Sequence, residues 1–289
     1  MANNPGYRLT RFAVERLYGL RTVVAPPLDA VDFVYRAARG RADFPPLSAR
    51  QLVSGRFWAP TAEFDAVGRA EAESWRESIG LEPGHRLLDI GCGCGRVTRH
   101  VLPLLGPAGR YVGGDVDARA IRWCREHLGR RHPNSVFFHI DAYNSIYNPR
   151  SRQPASSYTF PLDDESVDRV ALSSVFTHML PADVERYLQE MARVLVPGGR
   201  AYAGVFLVSP ARLQGPEAEV VRKKFHVARD GHYLTSEKYP DLEVAYDAET
   251  FAAMAARCGL PPFGDVRWGR WTGVAGYRPL DVVVLERPA

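Results

Sequence analysis

The chain is 289 residues long, with 46% hydrophobic and 24% charged residues and a formal net charge of +4, a composition ordinary for one large folded domain with an appendage. Only three of its 37 basic residues are lysines, and its 33 acids are interspersed among the arginines, which argues against a one-sided basic surface for nucleic acid. No stretch approaches the roughly 18 uninterrupted apolar residues of a membrane span, and the first residues lack a charged-then-apolar signal pattern, so a cytoplasmic location is the expectation.

Residues 1–80 read as a mostly helical region. Leu9, Phe12, Leu17 and Leu20 suggest an amphipathic segment ended by Pro26-Pro27, and Val31, Phe33, Val34 and Tyr35 suggest another, stopped by Gly40. The segment 41–60 is broken by Pro45-Pro46, Gly55 and Pro60 and holds Phe57 and Trp58. A third helix is predicted over 61–79, with Gly80 after its end. These helices either pack against a sheet or form a lid over a pocket, and the sequence alone does not choose.

Leu87, Leu88 and Ile90 form a short apolar run that reads as a buried parallel strand. It breaks into Gly91, Gly93 and Gly95, and from Arg96 the period becomes helical, with Val97, Val101, Leu104 and Leu105 on one face. Strand, glycine turn and helix is the layout of a nucleotide pocket at the carboxyl edge of a parallel sheet. Glycine lets the backbone approach a ligand where a Cβ would collide. The spacing is Gly-x-Gly-x-Gly rather than the dinucleotide Gly-x-Gly-x-x-Gly, and Asp89 stands where dinucleotide folds usually carry an apolar residue.

A second strand, 110–115, ends in Asp115, close to the ~20-residue offset at which an acid meets a ribose in dinucleotide sites. Its carboxylate can accept from both vicinal hydroxyls. Asp117 reads as the N-cap of the next helix, 118–128. A third strand, 136–140, runs into Asp141 and Ala142. The loop 143–165 carries Tyr143, Tyr147, Tyr158 and Phe160, and a loop of that length points to function or motion. Val167, Val170 and Leu172 supply a fourth strand, followed by Ser-Ser-Val-Phe-Thr-His-Met at 173–179 and a helix opened by Pro181. Pro197-Gly198-Gly199 turns into a fifth strand, 201–208.

This alternation implies a parallel sheet with right-handed crossovers. Residues 209–247 depart from it as a mixed segment holding Lys223, Lys224, Phe225, His226, His232 and Tyr233. A helix over 248–258 and two closing strands, 266–271 and 280–285, are predicted after it. Cys92, Cys94, Cys124 and Cys258 lack the spacing of a zinc site or a disulfide scaffold and read as reduced thiols.

Asp-Ile-Gly-Cys-Gly-Cys-Gly at 89–95, Ser-Val-Phe-Thr-His-Met at 174–179, the helix with Glu-Met-Ala-Arg-Val-Leu at 190–195 and Pro-Gly-Gly at 197–199 together resemble class I S-adenosylmethionine-dependent methyltransferases over about 81–208. The resemblance implies an α/β, doubly wound, mostly parallel seven-stranded sheet with helices on both faces. An N-terminal helical region or lid, 1–80, would precede a core of 81–289 carrying a lid-like insertion at about 209–247. It also implies S-adenosylmethionine as cofactor, leaving as S-adenosylhomocysteine. Asp89, Gly91, Cys92, Gly93, Gly95, Asp115, Val116, Asp141, Ala142 and Ser174 would hold it. Asp141 would accept from the adenine amino group, its alternative being an Asx-type turn at a strand end. Tyr143, Phe176 and Thr177 are expected on the acceptor side.

Methyl transfer from a sulfonium is an in-line displacement, and alignment alone can contribute on the order of 7–11 kcal/mol. No metal is required, but a hydroxyl acceptor must lose its proton. His178, just beyond the fourth strand, is the expected base, because an imidazole with an unperturbed pKa of about 6.5 is poised near working pH. It also fits a structural role, capping the following helix or ordering the loop around the donor; His226, His232 or Glu243 would then serve if 209–247 folds over the pocket. The expected function is transfer to a small molecule, at a hydroxyl of a secondary metabolite or saccharide as in bacterial enzymes of this style. Transfer to nitrogen or carbon, a nucleic-acid or protein acceptor, an NAD enzyme and a non-catalytic cofactor-binding protein stand as alternatives. Ser-Ser-Val-Phe at 173–176 differs from the Asn/Asp-Pro-Pro-aromatic motif of nucleic-acid amine methyltransferases. The expected assembly is a monomer or homodimer.

Overall fold

A computed structural model describes residues 26–54 and 60–289. The first expected amphipathic segment (Leu9 to Leu20) and the Phe57-Trp58 pair lie outside these residues. Helix α1 occupies 26–37, followed by α2 (Leu47–Ser54) and α3 (Thr61–Ile79). Gly80 ends α3 in the left-handed conformation (φ 60°), where glycine has no Cβ to strain.

The core then follows the predicted alternation: β1 (Arg86–Ile90), α4 (Thr98–Leu105), β2 (Arg110–Asp115), α5 (Ala118–Cys124), β3 (Ser135–His139), β4 (Val167–Leu172), α6 (Pro181–Val194) and β5 (Leu195–Val208). Strands β3-β2-β1-β4-β5 lie side by side and all pair in parallel. The period-2 geometry of a strand splits its side chains between two cores. Leu88, Val170, Leu172, Ala201 and Ala203 join α6 in one, while Leu87, Ala171 and Tyr202 join α3, α4 and Tyr111 in the other. Helix α6 buries Val184, Tyr187, Leu188, Met191 and Val194, an i, i+3, i+4 stripe that docks it on the first of these faces. Each such fully buried aliphatic side chain contributes about 1.5–3 kcal/mol.

The sheet has nine strands rather than the expected seven. The extra ones come from 209–247, which forms helices α7 (Pro210–Gln214) and α8 (Ala218–Lys224), strands β6 (Val227–Arg229) and β7 (His232–Leu234), and runs into β8 (Val244–Asp247). Strand β8 pairs in parallel with 206–208 of β5, and β7 and β6 add to it antiparallel. Helix α9 (Ala248–Arg257) leads to the last strand, β9 (Asp281–Glu286), antiparallel to 200–205 of β5. The long β5 thus serves two neighbours on one edge. Its first residues are extended as well: the Pro-Gly-Gly turn is a bulge between the Val167–Leu195 and Arg169–Arg200 pairings, with Gly198 at φ 75°.

The closing strand expected at 266–271 does not form. That stretch makes one isolated bridge, Arg267 to Val282, because Gly264, Gly269 and Gly273 interrupt the chain and it winds around β9 instead of pairing along it. Gly269 passes so close to β9 that a Cβ there would lie 2.4 Å from the Leu280 carbonyl oxygen. No helix among the described residues is long and apolar enough to cross a membrane.

Candidate active site at the carboxyl edge of the sheet

A cavity of about 720 Å³ opens where β1, β2, β3 and β4 end, within the ~300–1,000 Å³ range of ligand pockets. Its floor is the glycine loop. The Gly91 and Cys92 amides both donate to the Gly114 carbonyl (2.7 and 3.1 Å), folding the loop back over the end of β2. Gly91 and Gly93 have φ of 81° and 53°, which favours glycine sterically. A Cβ on Gly91 would lie 2.4 Å from Val175, and one on Gly93 3.0 Å from Val53, so these two positions are crowded for a side chain.

Asp115 closes the next side. One carboxylate oxygen accepts from the Gly93 amide (2.7 Å) and the other from the Asp117 amide (2.8 Å), fixing the group at the cavity wall with lone pairs to spare. Burial outweighs these two bonds and pushes its pKa up to about 6. Asp117 also caps α5, accepting from the Arg119 amide (2.9 Å). Asp89, 2% exposed, accepts from the Tyr111 hydroxyl at 2.6 Å, and burial pushes its pKa up to about 7.

Val116 and Ala142 line the cavity beside Ile140, and Ser174 lines it in a left-handed conformation (φ 61°) that is strained for serine. His178 faces the cavity from the turn after β4. Its Nδ1 lies 2.7 Å from the Leu242 carbonyl oxygen, its ring packs edge-on against Tyr147, and its carbonyl accepts from Asn144 Nδ2 (3.2 Å). Since a carbonyl only accepts, Nδ1 carries the proton and Nε2 keeps a lone pair. Burial lowers the His178 pKa, partly countered by Glu243, by the Leu242 and Asp241 carbonyls and by the Asp241 carboxylate.

Several expected residues stand elsewhere. Gly95 packs toward Leu128, Cys124 and Trp123 rather than the cavity; its Cβ would lie 2.5 Å from Leu128. Asp141 is exposed, accepts from Asn148 Nδ2 (3.2 Å) and is not part of the cavity wall. Phe176 is fully buried against Phe251 (ring centroids 5.9 Å apart), and Thr177 is 1% exposed with no hydrogen-bond partner for its hydroxyl. The turn 176–178 sends both inward, leaving His178 as its member at the cavity. His226 and His232 lie outside the wall, while Glu243 lines it and pairs with Lys224 (3.1 Å). Tyr143 lines it, half exposed, and Cys92 lines it with its thiol turned to the Gly93 carbonyl.

Sequence reading passed over Trp75, Arg96, Asn144, Ser145, Ser173 and Lys238–Asp241 (238–241), all of which reach the wall. Trp75 Nε1 donates to Ser173 Oγ (3.2 Å), which donates to Glu71 (2.6 Å). Asp241 accepts from both the amide and the hydroxyl of Ser145 (2.7 and 2.5 Å), clasping 209–247 to the loop after β3. The Pro240-Asp241 turn was the one local signal for this contact.

A family model described as a methyltransferase domain matches residues 88–203. The ubiquinone/menaquinone biosynthesis C-methyltransferase UbiE of Hahella chejuensis is 31% identical over 186 residues, 64% of each chain. The tRNA N(3)-cytidine methyltransferase METTL2 of Gallus gallus is 25% identical over 178 residues, 59% of this chain and 44% of that one. The chain spans less than two thirds of the length of these relatives. Among solved structures, a Burkholderia thailandensis 1,6-didemethyltoxoflavin-N1-methyltransferase, with its acceptor and S-adenosylhomocysteine bound, superposes with a TM-score of 0.51 at 16% identity, over 90% of this chain and 87% of that one. A Methanosarcina mazei S-adenosylmethionine-dependent methyltransferase gives 0.50 at 19% identity, over 72% and 94%. The match over 88–203 makes that stretch similar to a methyltransferase domain, and the shared architecture, with the glycine loop at its switch point, is the fold of S-adenosylmethionine-dependent methyltransferases.

Proposed function

We propose that the protein transfers a methyl group from S-adenosylmethionine to a hydroxyl of a small-molecule acceptor, with His178 taking the proton. The carrying observation is one cavity with the Gly91–Gly93 cradle and the Asp115 carboxylate at one side and a neutral, oriented imidazole at the other. The residues fit the donor: Gly91 and Gly93 bring bare backbone to the cavity wall, and Asp115 offers acceptor lone pairs suited to a ribose diol. When bound, the donor supplies an electrophilic methyl on a sulfonium, and the electron pair of the broken bond stays on sulfur.

The chain's own contribution is orientation and proton removal. The Leu242 carbonyl holds Nδ1–H, so Nε2 takes the hydroxyl proton as the acceptor oxygen forms its bond to carbon. Lowering of the imidazole pKa keeps that nitrogen unprotonated at neutral pH. Trp75, Tyr143 and Tyr147 give the wall aromatic surface for the acceptor. Transfer to carbon is the second reading, favoured by the likeness to an enzyme named as a C-methyltransferase.

Calorimetry with S-adenosylhomocysteine tests donor binding, and mass spectrometry of products from a panel of hydroxylated small molecules tests transfer. His178→Ala is expected to bind S-adenosylhomocysteine almost as wild type does and to lose turnover by about 10²–10⁴-fold. Wild-type turnover should rise with pH through an ionisation below the ordinary histidine value and then level off, since only the neutral imidazole accepts; the variant should lack that limb. Near-normal turnover by a folded His178→Ala protein would remove the base role and leave Glu243 as the cavity carboxylate to examine.

A further inference from the structure

Arg96 follows the last glycine of the loop and lines the cavity, yet its guanidinium is under-used. Its Nε is buried with no hydrogen-bond partner, and its one hydrogen bond among the described residues is a long one, Nη1 to the Val53 carbonyl at 3.5 Å. Among the described residues no carboxylate lies within ion-pairing distance of it. Other buried arginines of the same molecule are matched: Arg36 and Arg50 share Asp32 at 2.6 Å, and Arg212 meets Asp281 at 2.8 Å. The Nε atoms of Arg169 and Arg278 are also unpartnered, but neither residue lines the cavity, and Arg278 pairs with Glu71. Glu71, the acid facing Arg96, is occupied by Ser173 and by Arg278. Burying a cation without its counter-charge is costly, and burial accordingly lowers the Arg96 pKa.

The backbone that carries Arg96 is also held closely. Gly68 sits inside α3, where glycine costs about 1 kcal/mol relative to alanine. A Cβ at Gly68 would lie 2.1 Å from the Arg96 carbonyl oxygen, so the helix and the loop are in direct backbone contact there.

We propose that Arg96 is the anchor for a ligand carboxylate, that of the amino-acid end of the methyl donor; this rests on the donor occupying the cavity as proposed above. The order of elements along the sheet edge assigns the end. Ile140 and Ala142 stand after β3, Asp115 at β2, the glycine loop at β1 and Ser173 after β4. A nucleoside whose ribose meets Asp115 and whose base lies toward Ala142 directs its other end past the glycine loop, toward Arg96. A planar guanidinium with free donors matches a carboxylate in a two-bond fork.

The test is a cycle of calorimetric titrations with two probes, S-adenosylhomocysteine and its decarboxylated form, S-adenosyl-3-thiopropylamine, on wild type, Arg96→Gln and Arg96→Lys. Wild type should lose about 10–100-fold in affinity with the carboxylate, the usual worth of a charged hydrogen bond. Arg96→Gln should bind both probes with nearly equal, weakened affinity, and Arg96→Lys should fall between. Wild type that binds both probes equally, or a folded Arg96→Gln that keeps the wild-type preference, overturns the assignment while leaving donor binding in place. Wild type that binds neither probe overturns the donor reading, and the anchor with it. The wild-type comparison needs no variant, so a misfolded substitution does not decide the outcome.

Discussion

Asp115 carries its charge at a cost, because it is held at the cavity by two backbone amides while burial pushes its pKa up to about 6. A protonated carboxyl can no longer accept two hydroxyls at once. Affinity for S-adenosylhomocysteine is therefore expected to fall as pH drops through about 6, and titrations from pH 5 to 8 check it. The charged groups facing Asp115 are Asp117, which raises its pKa, and His139, which lowers it. Asp115→Asn should bind about 10–100-fold more weakly at pH 7.5, the usual worth of a charged hydrogen bond, and lose the pH dependence. Its loss would point to Asp115, whereas a retained dependence would point to Asp89, whose pKa lies near 7. At Gly93, alanine would meet both a positive φ and Val53 at 3.0 Å, so Gly93→Ala should obstruct the donor without unfolding the sheet. Normal affinity in a folded Gly93→Ala protein would limit the glycine's part to the turn.

At the scale of elements, α3 and the segment 235–243 work as walls brought to the sheet edge by specific contacts. Alanine at an exposed helix glycine ordinarily stabilises by up to about 1 kcal/mol. Gly68→Ala is expected to do the opposite, lowering the melting temperature and weakening donor binding, because its methyl would displace the Arg96 backbone. A raised melting temperature with unchanged binding would show that α3 can shift away freely. The Ser145–Asp241 clasp joins two segments far apart in sequence. Together with Tyr246, whose hydroxyl donates to the Met179 carbonyl at 2.6 Å, it sets where the Leu242 carbonyl meets His178.

Across the whole molecule, Asp281 is the junction. It is fully buried and accepts from the Leu207 amide, the Gly269 amide, Trp271 Nε1 and Arg212 Nη1, all between 2.6 and 2.9 Å. These bonds tie β9 to β5, to α7 and to the loop 266–280 at once. Asp281→Ala would leave the buried Arg212 cation with Glu217 (3.2 Å) as its counter-charge, and removal of one partner of a buried pair costs up to about 3–5 kcal/mol. Denaturant unfolding should show that loss, and a change within about 0.5 kcal/mol, the range of an ordinary surface substitution, would mean that Glu217 alone balances Arg212.

The core was legible because it is written in local periods. Leu87-Leu88 and Ile90, the alternating glycines, the 110–115 strand and the helix between Pro60 and Gly80 each obey a short-range rule, and the elements formed within a residue or two of their expected places. Asp89, Gly91, Gly93 and Asp115 reached the cavity for the same reason: they stand at strand ends, and parallel strands share a carboxyl edge. Long-range contacts decided the rest. Phe176 and His178 are two residues apart in one short turn, and long-range packing, Phe251 on Phe176 and Leu242 on His178, separates the core residue from the one at the cavity. Asp141 and Asn148, Gly95 and Leu128, and Ser145 and Asp241 met through loop closure, which no periodicity encodes. The sequence by itself determined the five parallel strands of the core, the glycine loop and the acid that faces it. The tertiary structure alone decided which side chains of the loops and of 209–247 share the cavity with them, because that depends on how distant segments fold back over one edge.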